Sequence, residues 1–238
     1  MTVISDTRPS DAPFVEGIWR SQSEYAAPFI SRASSHWEMV VKKYNGETSL
    51  TLRGPETKAT RADHPADAEF FGIVFKLGTF IPHLPTIHRL DRNDITLPES
   101  TSKSFWLQGA SWQIPDYDNA DTFVYRLIRQ GLLVHDPIVE AVLQGQPQAL
   151  SIRSVRRRFL QATGLTHGPI FQIARAQQAV ALLAQGVSIL DTVDQAGYFD
   201  QPHLTRSLKH FMGETPAQIA RVNQPEQVSF LYNTVSLY

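Results

Sequence analysis

The sequence contains no cysteine, and that single absence removes disulfide scaffolds, thiolate zinc sites, thiolate nucleophiles and methyl-accepting cysteines. It also lacks any stretch approaching the roughly 18 apolar residues a membrane span needs, and its N-terminus has no basic stretch followed by an apolar run. A soluble, cytoplasmic protein without membrane contact is the expectation. Neither sign of charge is in excess, with 22 Lys and Arg against 23 Asp and Glu and a net charge of −1. Position restores some asymmetry: residues 1–120 hold 12 Lys and Arg against 15 Asp and Glu, whereas residues 121–221 hold 10 against 7. The basic excess of the second part suits a surface that meets phosphates. There is no internal repeat and no low-complexity tract, and 238 residues leave room for two ordinary domains.

The first part reads as β structure. Residues 1–13, rich in Ser, Thr, Asp and Pro, look like a loose lead-in, followed by an amphipathic turn or strand at Phe14, Val15, Ile18 and Trp19. Trp37 to Tyr44 runs into Asn45-Gly46, the strongest short hairpin signal, and Ser49 to Leu52 follows before Gly54-Pro55. Further runs at Phe70–Leu77, Phe80-Ile81, Ile87–Leu90 and Ile95–Leu97 are spaced by Pro, Gly, Asn and Asp as in a sandwich or barrel. A small cupin-like half-barrel over residues 1–120 is expected.

Beyond Tyr117 the period changes to that of helices. Asp121 starts one ending at Gly131, and Asp136-Pro137 starts a short one ending at Gly145. Ser151 caps a third, with Val155, Phe159 and Leu160 on one face and Arg153, Arg156, Arg157 and Arg158 around the other, closed by Gly164 and Gly168. Pro169 opens a spacer helix to Gly186. Ser188–Ala196, then Gly197-Tyr198-Phe199-Asp200, then Gln201–Met212 closed by Gly213, outline a helix-turn-helix: Ala196 is small, Gly197 suits the turn and Asp200 caps. With Leu204, Leu208 and Phe211 inward, Gln201, His203, Thr205, Arg206 and Lys209 are left outside. Gln pairs with adenine and Arg with guanine, while Lys209 is better placed to hold phosphate.

The segment from Ala196 to Lys209, followed by Gly213, Thr215 and Pro216, resembles the signature of AraC/XylS-type regulators. Arg156-Arg157-Arg158-Phe159, Gly164, Arg175 and Ala179–Leu183 resemble the end of that family's first helix-turn-helix and its linker helix. The resemblance covers residues 121–221. It implies an all-α double helix-turn-helix domain, with recognition helices Ser151–Thr163 and Gln201–Met212 entering successive major grooves about 34 Å apart. It places base reading at Arg153, Arg156 and Arg157 in the first helix and at Gln201, His203, Thr205 and Arg206 in the second. Two departures stand out: the six residues Gly145–Leu150 before Ser151, where the family has a short turn, and Pro202, where a hydrogen-bond donor is common. The N-terminal half is similar, more loosely, to the cupin-like sensor domains that precede this module, through Trp37–Val41, Gly54–Thr57 and Phe71–Phe75. By that analogy it binds a small effector, mediates homodimerisation, or both. Double-stranded DNA is the expected partner, with RNA polymerase added if the output is activation.

Blander readings stand beside these. Some of four arginines on one helix must turn sideways to bond backbone or carboxylate, and Arg175 on the linker helix reads as structural. His36, His64, His83 and His88 do not have the His-x-His spacing of metal-binding cupins, and His83 and His88 fall on opposite faces of a strand, so neither metal nor cofactor is expected. Trp37, Tyr44, Phe71, Phe75, Trp106 and Trp112 are candidates to line a ligand pocket, but strand aromatics are more often core. The fold expected is α+β in two domains, 1–120 and 121–221, with a tail at 222–238. The rival functions are a cupin-like enzyme, for which no convergent acid, base or metal set is found, and a protein-binding helical adaptor.

Overall fold

The computed structural model describes residues 3–221; the expected tail, with Phe230, Leu231 and Tyr232, lies outside the described residues. The strands are β1 (Val3–Arg8), β2 (Val15–Ser23), β3 (Ala27–Ser31), β4 (Glu38–Tyr44), β5 (Glu47–Arg53), β6 (Thr60–His64), β7 (Ala68–Phe75), β8 (Thr79–Phe80), β9 (Ile95–Thr96), β10 (Glu99–Thr101), β11 (Ser104–Leu107), β12 (Ala110–Gln113) and β13 (Val134–His135). The helices are α1 (Ala120–Arg129), α2 (Ile138–Leu143), α3 (Ile152–Thr163), α4 (His167–Ala184), α5 (Ile189–Gln195), α6 (Gln201–Met212) and α7 (Pro216–Arg221). A β-rich part followed by a helical part is the expected order.

Contacts divide the chain into two compact units that do not follow that order. Of the described residues, the first takes in 3–27, 36–55 and 64–166; the second takes in 28–35, 56–63 and 167–221. The unit built on the sheet therefore runs past residue 120, to 166.

The first unit is organised by a sheet of order β1-β2-β7-β4-β5-β9. Its central hairpin follows from Asn45-Gly46: both residues have positive φ, 51° and 79°, and pair Tyr44 with Glu47 in the two-residue turn that matches strand twist. Met39, Val41, Leu50, Leu52, Ile73 and Phe75 share the core face. Helix α1 closes over it, burying Phe123, Val124 and Leu127, with the Phe123 ring edge-on to Phe105 and Trp112 at 6.2 and 6.1 Å. Each such side chain contributes about 1.5–3 kcal/mol, so a helix expected to begin the DNA-binding half is bound into the core of the β-rich half.

Two local expectations need correction. Residues 1–13 are not all a loose lead-in, because β1 pairs with β2 from Val3↔Ser23 to Arg8↔Ile18; an edge strand accepts polar residues, having one side to solvent. Ile87–Leu90 is not a strand but part of a 3-10 helix, Thr86–Arg92, interrupted at Leu90 (φ −65°, ψ 145°) and Asp91 (φ 54°). The apolar, polar, polar, apolar order of that run fits one 3-10 turn as well as a strand. Further along, α4 starts at His167 rather than Pro169, so Gly168 lies inside it and Gly164 alone, at φ 74°, ends α3.

The second unit joins α4, α5, α6 and α7 to a ribbon from the first half of the sequence, β3 paired with β6. Ser34 and Glu56 exchange backbone hydrogen bonds of 2.9 Å, and the Ser31 hydroxyl donates to the Glu56 carboxylate at 2.9 Å. The ribbon then serves the end of α6: the Ala33 N–H donates to the Phe211 carbonyl and the Ala59 N–H to the His210 carbonyl, each at 2.8 Å. Arg32 forms an ion pair with Glu214 just beyond. Carbonyls in a last helical turn have no partner within the helix, and here the ribbon supplies two.

Gly213 ends α6 at φ 76°, and a Cβ there would lie 2.7 Å from Ile30 Cγ2. Gly213→Ala is expected to destabilise the protein by about 1–2 kcal/mol, through left-handed strain and crowding together. Gly109, at φ 75° with nothing within 4 Å, isolates the strain alone. Urea midpoints of the two alanine variants give the comparison; equal losses would mean that Ile30 yields freely.

Candidate nucleic-acid interface

Helix α5 begins at Ser188, whose hydroxyl accepts the Asp191 N–H at 3.1 Å, and ends at the buried Ala196. Gly197 turns the chain at φ 67°, and the Tyr198 N–H returns to the Val193 carbonyl at 2.8 Å. Tyr198 is buried, and its hydroxyl shares a 2.9 Å hydrogen bond with Ser207 Oγ, tying the turn to the middle of α6. Asp200 caps α6 by accepting the His203 N–H at 2.7 Å. Pro202 falls in the first turn, where a missing N–H costs no helical bond.

From that frame the side chains of α6 sort cleanly. Leu204, Leu208, Phe211 and Met212 are buried, while Gln201, Arg206 and Lys209 are exposed. Gln201, Thr205 and Lys209 recur every four residues along one face, with Arg206 beside them. Thr205 is half-buried. His203 is half-buried as well: its ring stands edge-on to Tyr198 at 5.2 Å and its Nδ1 accepts the Phe199 N–H at 3.4 Å. The sequence grouped His203 with the outward set; the structure gives its ring a place against the turn.

The helices expected to make the first helix-turn-helix are α2 and α3, which pack together. Ser151 caps α3 by accepting the Ser154 N–H at 3.2 Å. Phe159 and Ala162 are buried, and Arg153, Arg156 and Arg157, at spacings of three and four, are all exposed. Arg158 is the arginine that turns sideways: its Nε and Nη2 donate to the two oxygens of Asp136 at 2.8 and 2.6 Å. Asp136 also accepts the Ile138 N–H at 3.1 Å, so one carboxylate fixes both the start of α2 and the middle of α3. The long connection expected between these helices is present, from Gln144 to Ser151.

Burial pushes the Asp136 carboxyl up, but hydrogen bonds from Arg158 and Ile138 and the charge of Arg158 outweigh it and hold the group below the usual carboxylate range. Sequence reasoning missed this pair, although the two residues at the start of α2 and inside an arginine-rich helix were the available signal. It also missed the Tyr198–Ser207 bond, which a polar residue on the inner face of α6 announces.

The six aromatic candidates for a pocket are not one cluster. Trp37, Phe71, Phe75 and Trp112 belong to the buried core, Tyr44 is half-buried and Trp106 is 46% exposed. Trp37 stacks on Phe75 at 4.1 Å and donates its indole N–H to the Thr79 carbonyl at 2.6 Å. Among the described residues, no three His, Asp or Glu side chains are grouped as a metal ion would require.

Residues 148–221 match a family model described as a helix-turn-helix domain, which spans α3 to α7. The match and the geometry agree on an AraC-type helix-turn-helix domain at residues 148–221. No curated protein matches the chain. Among solved structures, ToxT from Vibrio cholerae O395 aligns with 98% of this chain and 99% of its own at 8% identity and a TM-score of 0.40. ToxT bound to (E)-4-(8-methylnaphthalen-1-yl)but-3-enoic acid aligns with 97% and 99% at 11% identity and a TM-score of 0.37. Likeness this distant bears on neither the fold nor the ligands of this chain. Among the described residues no helix is long and apolar enough to cross a membrane.

The Asp136–Arg158 pair sets a pH dependence. Because the folded carboxyl titrates below its unfolded value, its stabilisation is complete above about pH 4 and is lost as pH falls through the lower folded value. Unfolding midpoints of wild type and Asp136→Asn, followed from pH 7 to pH 3, are expected to differ at neutrality and converge in acid. A constant gap would mean that the pair contributes nothing through charge.

Proposed function

We propose that this protein reads a DNA sequence with α3 and α6 and regulates transcription from the site it binds. The observation that carries the reading is the second helix-turn-helix. A capped, twelve-residue helix is locked to its supporting turn by the Tyr198–Ser207 bond and presents Gln201, Thr205, Arg206 and Lys209 outward. On this reading Arg206 and Gln201 read bases in the major groove, Thr205 adds a short contact, His203 positions the start of the helix, and Lys209 holds phosphate. In α3, Arg153, Arg156 and Arg157 read bases or backbone while Arg158 keeps the helix in place. The protein acts by binding, without catalysis. Residues 1–120 form a cupin-like regulatory part that takes a small-molecule effector, dimerises, or does both. The helices from α2 to α7 form the DNA-binding part, α1 being bound into the core of the β-rich part, and RNA polymerase is the further partner of an activator.

Arg206→Ala is expected to cost about 1–3 kcal/mol at one base position and to relax preference there. Lys209→Ala is expected to weaken binding evenly across sequences and to lower the salt slope by about one. Fluorescence anisotropy on duplexes carrying single-base changes, at two or three salt concentrations, checks both. An even loss for Arg206→Ala would contradict base reading, and a base-specific loss for Lys209→Ala would contradict the phosphate role.

A further inference from the structure

Arg89 is fully buried in the first unit, at 0% exposure. Its Nη2 donates to the Thr86 hydroxyl at 3.1 Å, and its guanidinium lies over the Trp37 ring at 4.8 Å. Among the described residues its Nε and Nη1 have no hydrogen-bond partner and no carboxylate pairs with it. Burial lowers its pKa to about 10, which leaves it charged at neutral pH. A buried cation with two idle donors is costly unless an anion answers it. Every other feature of the site is well made: Trp37 is held from behind by its stack on Phe75 and its bond to Thr79, and Gly54 allows the Arg89 backbone to approach, since a Cβ at Gly54 would lie 1.9 Å from the Arg89 carbonyl oxygen.

We propose that Arg89 is the anchor of a ligand site in the first unit that takes an oxyanion group, a carboxylate or a phosphate, at its Nε and Nη1 donors. The guanidinium supplies Nε–H and Nη1–H as charge-assisted donors, the strongest kind available to a buried anion. The 3-10 helix carrying Arg89 is the element that admits the ligand, being short and interrupted at Leu90 and Asp91. It is also tied to the first recognition helix: α3 packs on it, and Gly164 at the end of α3 sits so close to Thr86 and Ile87 that a Cβ there would lie 3.0 Å from both backbones. Thr86 is thus both the acceptor for Arg89 and the neighbour of α3, so filling the site bears on how α3 is held. This inference deepens, and rests on, the reading of the β-rich part as an effector module.

The test uses the full chain with inorganic phosphate and with acetate, titrated separately at constant ionic strength, reading thermal midpoint and tryptophan fluorescence. At least one anion is expected to raise the midpoint saturably and to change the fluorescence, with both responses lost in Arg89→Met and retained in Arg129→Ala, which alters an exposed arginine of α1. Arg89→Lys, which keeps the charge but not the two donors, is expected to weaken the response at least about tenfold, and it carries the comparison if Arg89→Met does not fold. Which anion responds identifies the carboxylate or phosphate source. No saturable response in the wild type, or an equal response in the Arg89 variants, overturns the site. Duplex affinity measured on the same samples judges the effector reading separately: a site that fills without altering DNA binding stands as a site and removes the effector role.

Discussion

Helix α6 is fixed at both ends, and the functional reading of the protein depends on that. At its start Asp200 accepts the His203 N–H; at its end Gly213 turns left-handed and the carbonyls of Phe211 and His210 take N–H groups from Ala33 and Ala59. The Tyr198–Ser207 bond pins its middle to the turn. Discrimination between bases requires donors held to within a fraction of an ångström, which a helix free to fray or roll cannot provide. Arg206 and Gln201 acquire meaning from this immobility, since the same residues on a loose helix would be only solvated charge and amide.

The donors at the end of α6 come from the first sixty residues of the chain. Each compact unit holds one of the helices α3 and α6 together with part of the β-rich half: α3 goes with the large sheet, and α6 goes with the β3–β6 ribbon. The β-rich half and the helical half are therefore not cleanly separated into units along the sequence. A piece beginning at residue 121 would leave the Phe211 and His210 carbonyls without Ala33 and Ala59, and Arg158 is anchored through Asp136 at the start of α2 within the unit built on the sheet. This interleaving puts segments of the β-rich half in direct contact with both α3 and α6.

What was legible in the sequence was local. Asn45-Gly46 determined a hairpin because two consecutive positive φ angles leave few alternatives, and Ser151, Ser188, Asp200, Gly164 and Gly213 marked helix ends because caps act within four residues. What was not legible was pairing at a distance. Nothing in Ala27–Ser31 or Thr60–His64 announces that they meet each other and brace α6, since strands of five residues, one holding Pro28 and the other with Ala62 as its one apolar residue, carry almost no periodic signal. Arg89 was invisible for a related reason: a lone arginine in an irregular run reads as solvated, and only the packing of Trp37, Thr86 and Gly54 around it reveals a buried charge. Of the aromatic residues considered for a pocket, Trp37, Phe71, Phe75 and Trp112 belong to the buried core, and Trp37 is the one against which that charge lies.

Selection of bound duplexes from a random DNA pool tests the central claim most directly, using the full chain and the variant with Arg153, Arg156 and Arg157 all changed to Ala. The account predicts that the wild type enriches a motif of two separate blocks and that the variant keeps the block read by α6 while losing the other. Enrichment of a single block by the wild type, loss of both blocks in the variant, or no enrichment at all would contradict it.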